Sequence, residues 1–216
     1  MSQKEIFLKG ESNNWFERNK ESLLNKKSFK ELDFCLPYIK PKNKVLEIGC
    51  SFGKKLDYFK SKTDCIPYGI DPSDKGINEG KKRYKKLNLK VGSSDNLDFD
   101  DLFFDVIILG FCLYLVDRNL IFKTVSEIDR TLKEGGILII NDFDTPFPYK
   151  KKYHHKEGIN SFKHDYTKFF LYSNHYSLIN KFSYSHNELE FNNDFDERVS
   201  TSLLYKEKLD KIYPLK

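Results

Sequence analysis

Val45-Leu46-Glu47-Ile48-Gly49-Cys50-Ser51-Phe52-Gly53 reads as a buried strand that breaks into a turn of small residues and opens a helix over Lys54 to Ser61. Val45, Leu46 and Ile48 form the short apolar run of a strand covered on both faces. Gly49 and Gly53 allow backbone angles and close approaches that a side chain obstructs. Such a turn can hold a nucleotide-like ligand. A second apolar segment, Cys65 to Ile70, ends at Asp71. That lies within the roughly 20-residue reach at which dinucleotide-type folds place a ribose-binding carboxylate.

Working outward, Ser12 to Leu36 carries Trp15, Phe16, Leu23, Leu24, Phe29, Leu32 and Phe34 among many charges. This predicts one or two amphipathic helices, stopped by Pro37 and Pro41, that can cap a ligand site. After the strand from Lys44 to Ile48 come the helix from Lys54, the strand to Ile70, a helix from Ser73 to Lys86 and a short strand at Leu89 to Val91. Phe104 to Gly110 is the most apolar strand. Asp117 is the expected N-cap of a helix striped by Ile121, Val125, Ile128 and Leu132, with Gly135-Gly136 as its stop. Ile137 to Ile140 then makes a fifth strand ending at Asn141-Asp142.

Alternating strands and helices imply a parallel sheet with right-handed crossovers and helices on both faces, so the fold class is α/β and doubly wound. Ligands of such sheets bind beyond the carboxyl ends of the strands, where Gly49, Asp71, Gly110 and Asp142 all fall. Beyond Asp165 the aromatic-rich segments Lys168 to Tyr172, Tyr176 to Tyr184 and Arg198 to Tyr205 read as strands that close one edge antiparallel. The chain is expected to be one domain, 1–216. It comprises a helical cap (1–40), a core (44–144), a loop for substrate (145–167) and edge strands (168–216).

With 39% hydrophobic and 15% aromatic residues, the 216-residue chain can fill a core despite 32% charged residues, which excludes a disordered chain. Cys35, Cys50, Cys65 and Cys112 show no metal-ligand spacing and fit reduced thiols of a cytoplasmic protein. The N-terminus lacks the apolar core of a signal peptide, and the run Val106 to Val116 is too short to span a bilayer.

VLEIGCSFG, YGIDPS, GSSDNLDF, FDVIILGFCLYLVD and LKEGGILIINDFD, in this order over Lys44 to Asp144, resemble the class I S-adenosylmethionine-dependent methyltransferases of the type 11 group. The resemblance implies a Rossmann-like methyltransferase fold with a mostly parallel seven-stranded sheet, and S-adenosyl-L-methionine as cofactor. Glu47, Gly49 and Gly53 match the first motif, whose turn, Cys50 included, lies against the methionine part. Asp71 matches the acid that accepts both ribose hydroxyls, a sensible pairing because an ionised carboxylate has two acceptor oxygens. Ser93 and Ser94 stand where the family commonly has Asp-Ala beside the adenine, which leaves that contact open among Ser93, Ser94 and Asp95. Ser51 replaces the middle glycine of the motif. Gly110 and Phe111 match the loop that passes the sulfonium and the methyl group.

Methyl transfer from a sulfonium is an in-line displacement that chiefly needs alignment and exclusion of water; a hydroxyl acceptor also profits from a base. The segment after the fifth strand offers Asp142, Asp144, Tyr153, His154, His155, His164, Asp165 and Tyr166, with His164 and His155 as the candidate bases. His154-His155 lacks a third ligand, so no metal is expected. Lys150, Lys151, Lys152 and Lys156 suit a phosphate or carboxylate on the acceptor.

Gly110-Phe111-Cys112 replaces the Asn/Asp-Pro-Pro-Tyr of base methyltransferases and no basic stripe is present, so nucleic acid is not expected as partner. The reading is methyl transfer to O or N of a small molecule, a sugar, nucleotide sugar or surface glycan, similar to methyltransferases of bacterial surface-polysaccharide gene clusters. Its alternatives are a noncatalytic cofactor-binding or regulatory subunit, and an NAD-dependent oxidoreductase.

Overall fold

The structure, a computed structural model, describes residues 1–215. Seven strands form one sheet: β1 (Lys44–Ile48), β2 (Ile66–Asp71), β3 (Asn88–Val91), β4 (Phe104–Gly110), β5 (Leu132–Phe143), β8 (Tyr176–Ser185) and β9 (Arg198–Lys206). Their order is β3-β2-β1-β4-β5-β9-β8. β3, β2, β1, β4 and β5 pair parallel, while β9 pairs antiparallel with both β5 and β8. The order reverses between β1 and β4, which is where an open α/β sheet leaves a crevice.

Burial explains the apolar runs. Alternate residues of β1, β4 and β5 feed two cores: Val45, Val106, Ile108 and Ile139 on one face, and Leu46, Ile107, Leu109, Leu138 and Ile140 on the other. The first face is covered by α3 (Lys54–Thr63) and α4 (Asp74–Arg83), which contribute Leu56, Phe59 and Ile77. The second is covered by α5 (Ile121–Thr131), whose Ile121 and Ile128 are buried with Leu132.

Four expectations need correction. Asp117 does not cap α5; its carboxylate accepts the backbone N–H groups of Gln3 and Lys4 at 3.0 and 2.8 Å, at the start of α1 (Gln3–Ile6). Gly135-Gly136 do not end α5 either. Phe104 pairs with Leu132 and Val106 with Ile137, so residues 133–136 bulge out of β5, with Gly135 at φ +77° and Lys133 bonded to Asp105 at 2.6 Å.

Lys168–Leu171 is one helical turn, α6, and not a strand. Asp165 receives Thr167 Oγ1 at 2.6 Å and starts the turn, which buries Phe170 against Tyr176. Residues 145–167 are not a plain loop, because β6 (Tyr149–Lys152) and β7 (Asn160–Lys163) form a separate antiparallel hairpin within them.

The N-terminal helices begin earlier than the sequence indicates. α1 carries a Ser2 capping box with Glu5, and a wide turn at Phe7–Glu11, with Gly10 at φ +141°, leads into α2 (Ser12–Asn25). A 3₁₀ segment, Lys30–Tyr38, runs through Pro37. Gln3 ties this cap down: its Nε2 donates to Leu115 O at 2.9 Å, and its Oε1 accepts from Asn160 N of β7 at 2.7 Å.

Candidate active site

A cavity of about 530 Å³ opens at the carboxyl ends of β1, β2 and β4, beneath α1 and α2. One wall is the turn after β1. Gly49, at φ +78°, is pressed against the loop after β4, where a Cβ would come 2.9 Å from Cys112 Cβ, so only glycine fits. Ser51 takes φ +52°, the left-handed conformation for which the family's glycine is suited. Its N–H donates to Asp71 Oδ2 at 2.8 Å, and Ser73 N–H donates to Asp71 Oδ1 at 2.8 Å.

Asp71 is thereby held with both oxygens still able to accept. Burial pushes its carboxyl up to about 6, with the Ser73 and Ser51 N–H groups pulling the other way and Glu47 adding to the rise. Glu47 is 2% exposed; Oε1 meets Lys55 Nζ at 3.1 Å, while Oε2 is buried with no partner. Burial raises this carboxyl as well, against the pull of Lys55. Ser51 Oγ is likewise buried and unpartnered. Such orphaned atoms are expensive in a closed protein and mark where a ligand supplies the missing bonds.

Ser93, Ser94 and Asp95 all line the cavity, and the structure distinguishes them. Ser94 Oγ lies 3.2 Å from Thr124 Oγ1, turned toward α5. Asp95 Oδ2 receives Lys4 Nζ at 2.7 Å, an ion pair between the cap and the core. Burial disfavours the ionised Asp95, but hydrogen bonds from Lys4 and Ser93 outweigh it and hold the carboxyl below its ordinary range. After β4, Gly110 and Phe111 also reach the cavity; Phe111 stands at φ +51°, with its N–H on Asn141 O at 2.8 Å.

The other end is aromatic. Phe111 packs edge-on against Phe143 at 6.0 Å and against His186 at 5.2 Å, and Tyr114 packs on Phe143 at 5.3 Å. Tyr184 OH accepts Asn141 Nδ2 at 2.6 Å. Trp15 and Leu23 of α2, with Lys26 just beyond it, face the same space. His186 is exposed at the rim; burial nevertheless lowers its imidazole below the ordinary value, Glu197 opposing and Lys163 and Lys26 assisting. It is the histidine of the cavity wall, and the sequence reading misses it. The available signal is its place after β8, whose end lies beside the carboxyl end of β5 through β9.

The sequence's own candidate bases are elsewhere. His164 Nδ1 lies 2.7 Å from Asp165 O and its ring stacks on Phe169; His155 is exposed in the hairpin turn against Tyr153. Neither lines the cavity. Lys150, Lys152 and Lys156 are exposed outside it, and Lys151 bonds Asp196. Asp144 and Asp165 share Lys181. Asp142 is buried behind the wall, its oxygens taken by Leu113 N and Phe143 N at 3.1 and 2.8 Å, and burial pushes it up to about 7. Among the described residues no cluster of three His, Cys, Asp or Glu could hold a metal, and no helix is long and apolar enough to cross a membrane.

Residues 46–140 match a family model described as a methyltransferase domain. The chain is 32% identical over 107 residues to a carboxy-S-adenosyl-L-methionine synthase of Campylobacter fetus, covering 48% of this chain and 46% of that protein. It is 32% identical over 120 residues to a demethylmenaquinone methyltransferase of Symbiobacterium thermophilum, covering 51% and 46%. The match thus spans about half the length of these curated relatives. Among solved structures, a Burkholderia thailandensis 1,6-didemethyltoxoflavin-N1-methyltransferase with bound S-adenosylhomocysteine superposes with a TM-score of 0.70 at 12% identity, over 94% of this chain and 88% of that one.

Proposed function

We propose that the chain is a class I S-adenosylmethionine-dependent methyltransferase that transfers a methyl group to O or N of a small, ring-bearing molecule. The observation that carries this reading is one continuous cavity joining the strand-end residues to an aromatic chamber. The residues fit S-adenosylmethionine as cofactor. Asp71 has acceptor capacity for two ribose hydroxyls, Glu47 Oε2 and Ser51 Oγ await partners, and Gly49 and Gly110 keep the backbone approachable. The cofactor, when bound, supplies an electrophilic methyl group. On this reading the adenine contact falls to Ser93, Ser94 or Asp95, and Gly110 and Phe111 lie toward the methyl group; all five line the cavity.

Phe111, Tyr114, Phe143 and Tyr184 offer flat faces to an acceptor and exclude water from its reacting atom. His186, lowered toward neutrality, is placed at the rim to take the proton of a hydroxyl acceptor and pass it to solvent. A sugar, nucleotide sugar or surface glycan remains the acceptor class for which the aromatic walls and Lys26 are suited. Several curated relatives are named as C-methyltransferases of ubiquinone or menaquinone biosynthesis, which adds planar quinol-type rings to the classes to be tested. Labelled S-adenosylmethionine incubated with nucleotide sugars, glycans, phenols and quinols, followed by mass spectrometry, is expected to mark one class. Cofactor binding without any labelled product, in the panel or in cell extract, overturns the catalytic reading in favour of a binding subunit.

A further inference from the structure

Glu31 is a buried carboxylate with no part in the cofactor reading. It stands in the first turn of the 3₁₀ segment Lys30–Tyr38, which Leu32 and Cys35 anchor in the core, and it is 8% exposed. It lines the cavity at the aromatic end. Burial pushes the Tyr184 hydroxyl up to about 12, Thr201 and Asn141 oppose the rise, and the charge of Glu31 adds to it, so the two side chains are near neighbours. Among the described residues the hydrogen bond of Glu31 is the one from Lys26 Nζ to Oε1 at 2.7 Å, and Oε2 keeps its lone pairs. Lys26 directly follows α2 with its side chain 44% exposed, and Nζ lies 4.8 Å from the centre of the Phe29 ring. An ammonium has three donors, and Glu31 takes one.

A buried carboxylate with one half-exposed partner returns little stability to the fold. On a cavity wall the same pair presents an acceptor and a donor side by side, and its charges cancel. A phosphate drawn to Lys26 would lie against the Glu31 carboxylate, and an apolar tail would strip water from Oε2 without replacing its bonds. Two adjacent hydroxyls of a ring satisfy both groups, one donating to Glu31 Oε2 and the other accepting from Lys26 Nζ, while Phe111 and Phe143 cover the C–H face of that ring. We infer that Glu31 and Lys26 are the specificity-determining pair of the acceptor chamber and that they take two adjacent hydroxyls of an uncharged sugar ring. A phosphorylated sugar brings the wrong charge, and a 1,4-quinol has no adjacent hydroxyls. The inference rests on the methyl transfer proposed above and chooses among its acceptor classes.

The test follows methyl transfer from labelled S-adenosylmethionine by the full chain to three kinds of probe: methyl hexopyranosides of varied hydroxyl configuration, hexose 1-phosphates, and menadiol, a 1,4-quinol. A methyl hexopyranoside is expected to be the best acceptor. Removing either of two adjacent hydroxyls from it, in monodeoxy analogues, should raise KM at least about tenfold, the effect of one charge-assisted bond. Glu31→Gln should raise KM for the parent glycoside by a similar factor and leave kcat within about threefold and S-adenosylhomocysteine affinity within about twofold. It should lose nothing further with the analogue that lacks the hydroxyl bound to Glu31.

A hexose phosphate or menadiol as the best acceptor overturns the inference, as does methylation of no glycoside while some other compound is labelled. Equal weakening of parent and deoxy glycosides by Glu31→Gln also overturns it, because Glu31 is then only a brace for Lys26 and α2. Should that variant not fold, the wild-type ratios decide alone, and deoxy analogues that match the parent contradict the inference. Methylation of no probe, and of nothing in cell extract, is a different result, and sinks the catalytic reading itself.

Discussion

The cavity's two ends are made of different material. At the β1–β2–β4 end the wall is a backbone frame that fixes a few polar side chains: a left-handed turn at Gly49 and Ser51, two amide N–H groups holding Asp71, the buried Glu47, and a bare Gly110. At the opposite end the wall is side chain, Phe111 and Tyr114 from the segment after β4, Phe143 of β5, Tyr184 of β8 and His186 just beyond it, roofed by α2. A backbone wall recognises a ligand that does not vary, whereas a side-chain wall can be altered residue by residue without disturbing the sheet. On the proposed function, the difference separates the part of the site assigned to the cofactor from the part assigned to the acceptor.

The separation can be broken most sharply at His186. His186→Ala is expected to lower methyl transfer to a hydroxyl acceptor by about 10²- to 10⁴-fold while leaving S-adenosylhomocysteine affinity within about twofold. Loss of cofactor affinity in that variant would show that the two ends are not independent. The converse is Asp71→Ala, which removes the acceptor of two hydroxyl donors. It should weaken S-adenosylhomocysteine by about a hundredfold or more in calorimetry, and it also leaves the Ser51 and Ser73 N–H groups without their acceptor, which lowers the thermal midpoint.

A third effect follows from Asp71 standing near 6. The ligand needs the ionised carboxylate as acceptor, and that form is the minority below this value. S-adenosylhomocysteine affinity should therefore be flat above about pH 7 and fall as the pH drops through about 6, approaching a tenfold loss per unit. Asp71→Asn should flatten this dependence; a profile unchanged by the substitution would assign it to another group.

A smaller effect is expected at Ser51→Gly. Relief of the left-handed strain, about 1 kcal/mol, is offset by a similar gain in unfolded-chain freedom, so stability should shift by less than about 1 kcal/mol. A loss beyond about 2 kcal/mol in chemical denaturation would contradict the view that serine merely stands in for glycine there.

The two ends also differ in how well the sequence discloses them. The strand-end wall is legible because it is local: Glu47 to Gly53 are the end of one strand and its turn, and Asp71 ends the next strand, so spacing alone brings them together. The order of strands and helices through β5 follows from their apolar periodicity for the same reason. His186 is invisible to that logic. It reaches the cavity only because β8 runs antiparallel beyond β9, a pairing that spacing does not specify. His155 and His164 look better in the sequence because they follow β5 directly, yet the β6–β7 hairpin carries the first outward and the turn at Asp165 directs the second onto Phe169.

Local side-chain chemistry misleads in the same way at Asp117 and in Lys168 to Tyr172. Asp117 has the position of a helix cap but is claimed by α1, from the far end of the chain. Lys168 to Tyr172 has strand composition but is folded into a helical turn by Asp165 and by burial of Phe170.

The central claim, that the backbone-built wall is an S-adenosylmethionine site, is tested most directly by titrating the wild-type chain with S-adenosylhomocysteine and, separately, with NAD in a calorimeter. The account predicts saturable single-site heat with S-adenosylhomocysteine and none with NAD. Heat with NAD and none with S-adenosylhomocysteine would contradict it.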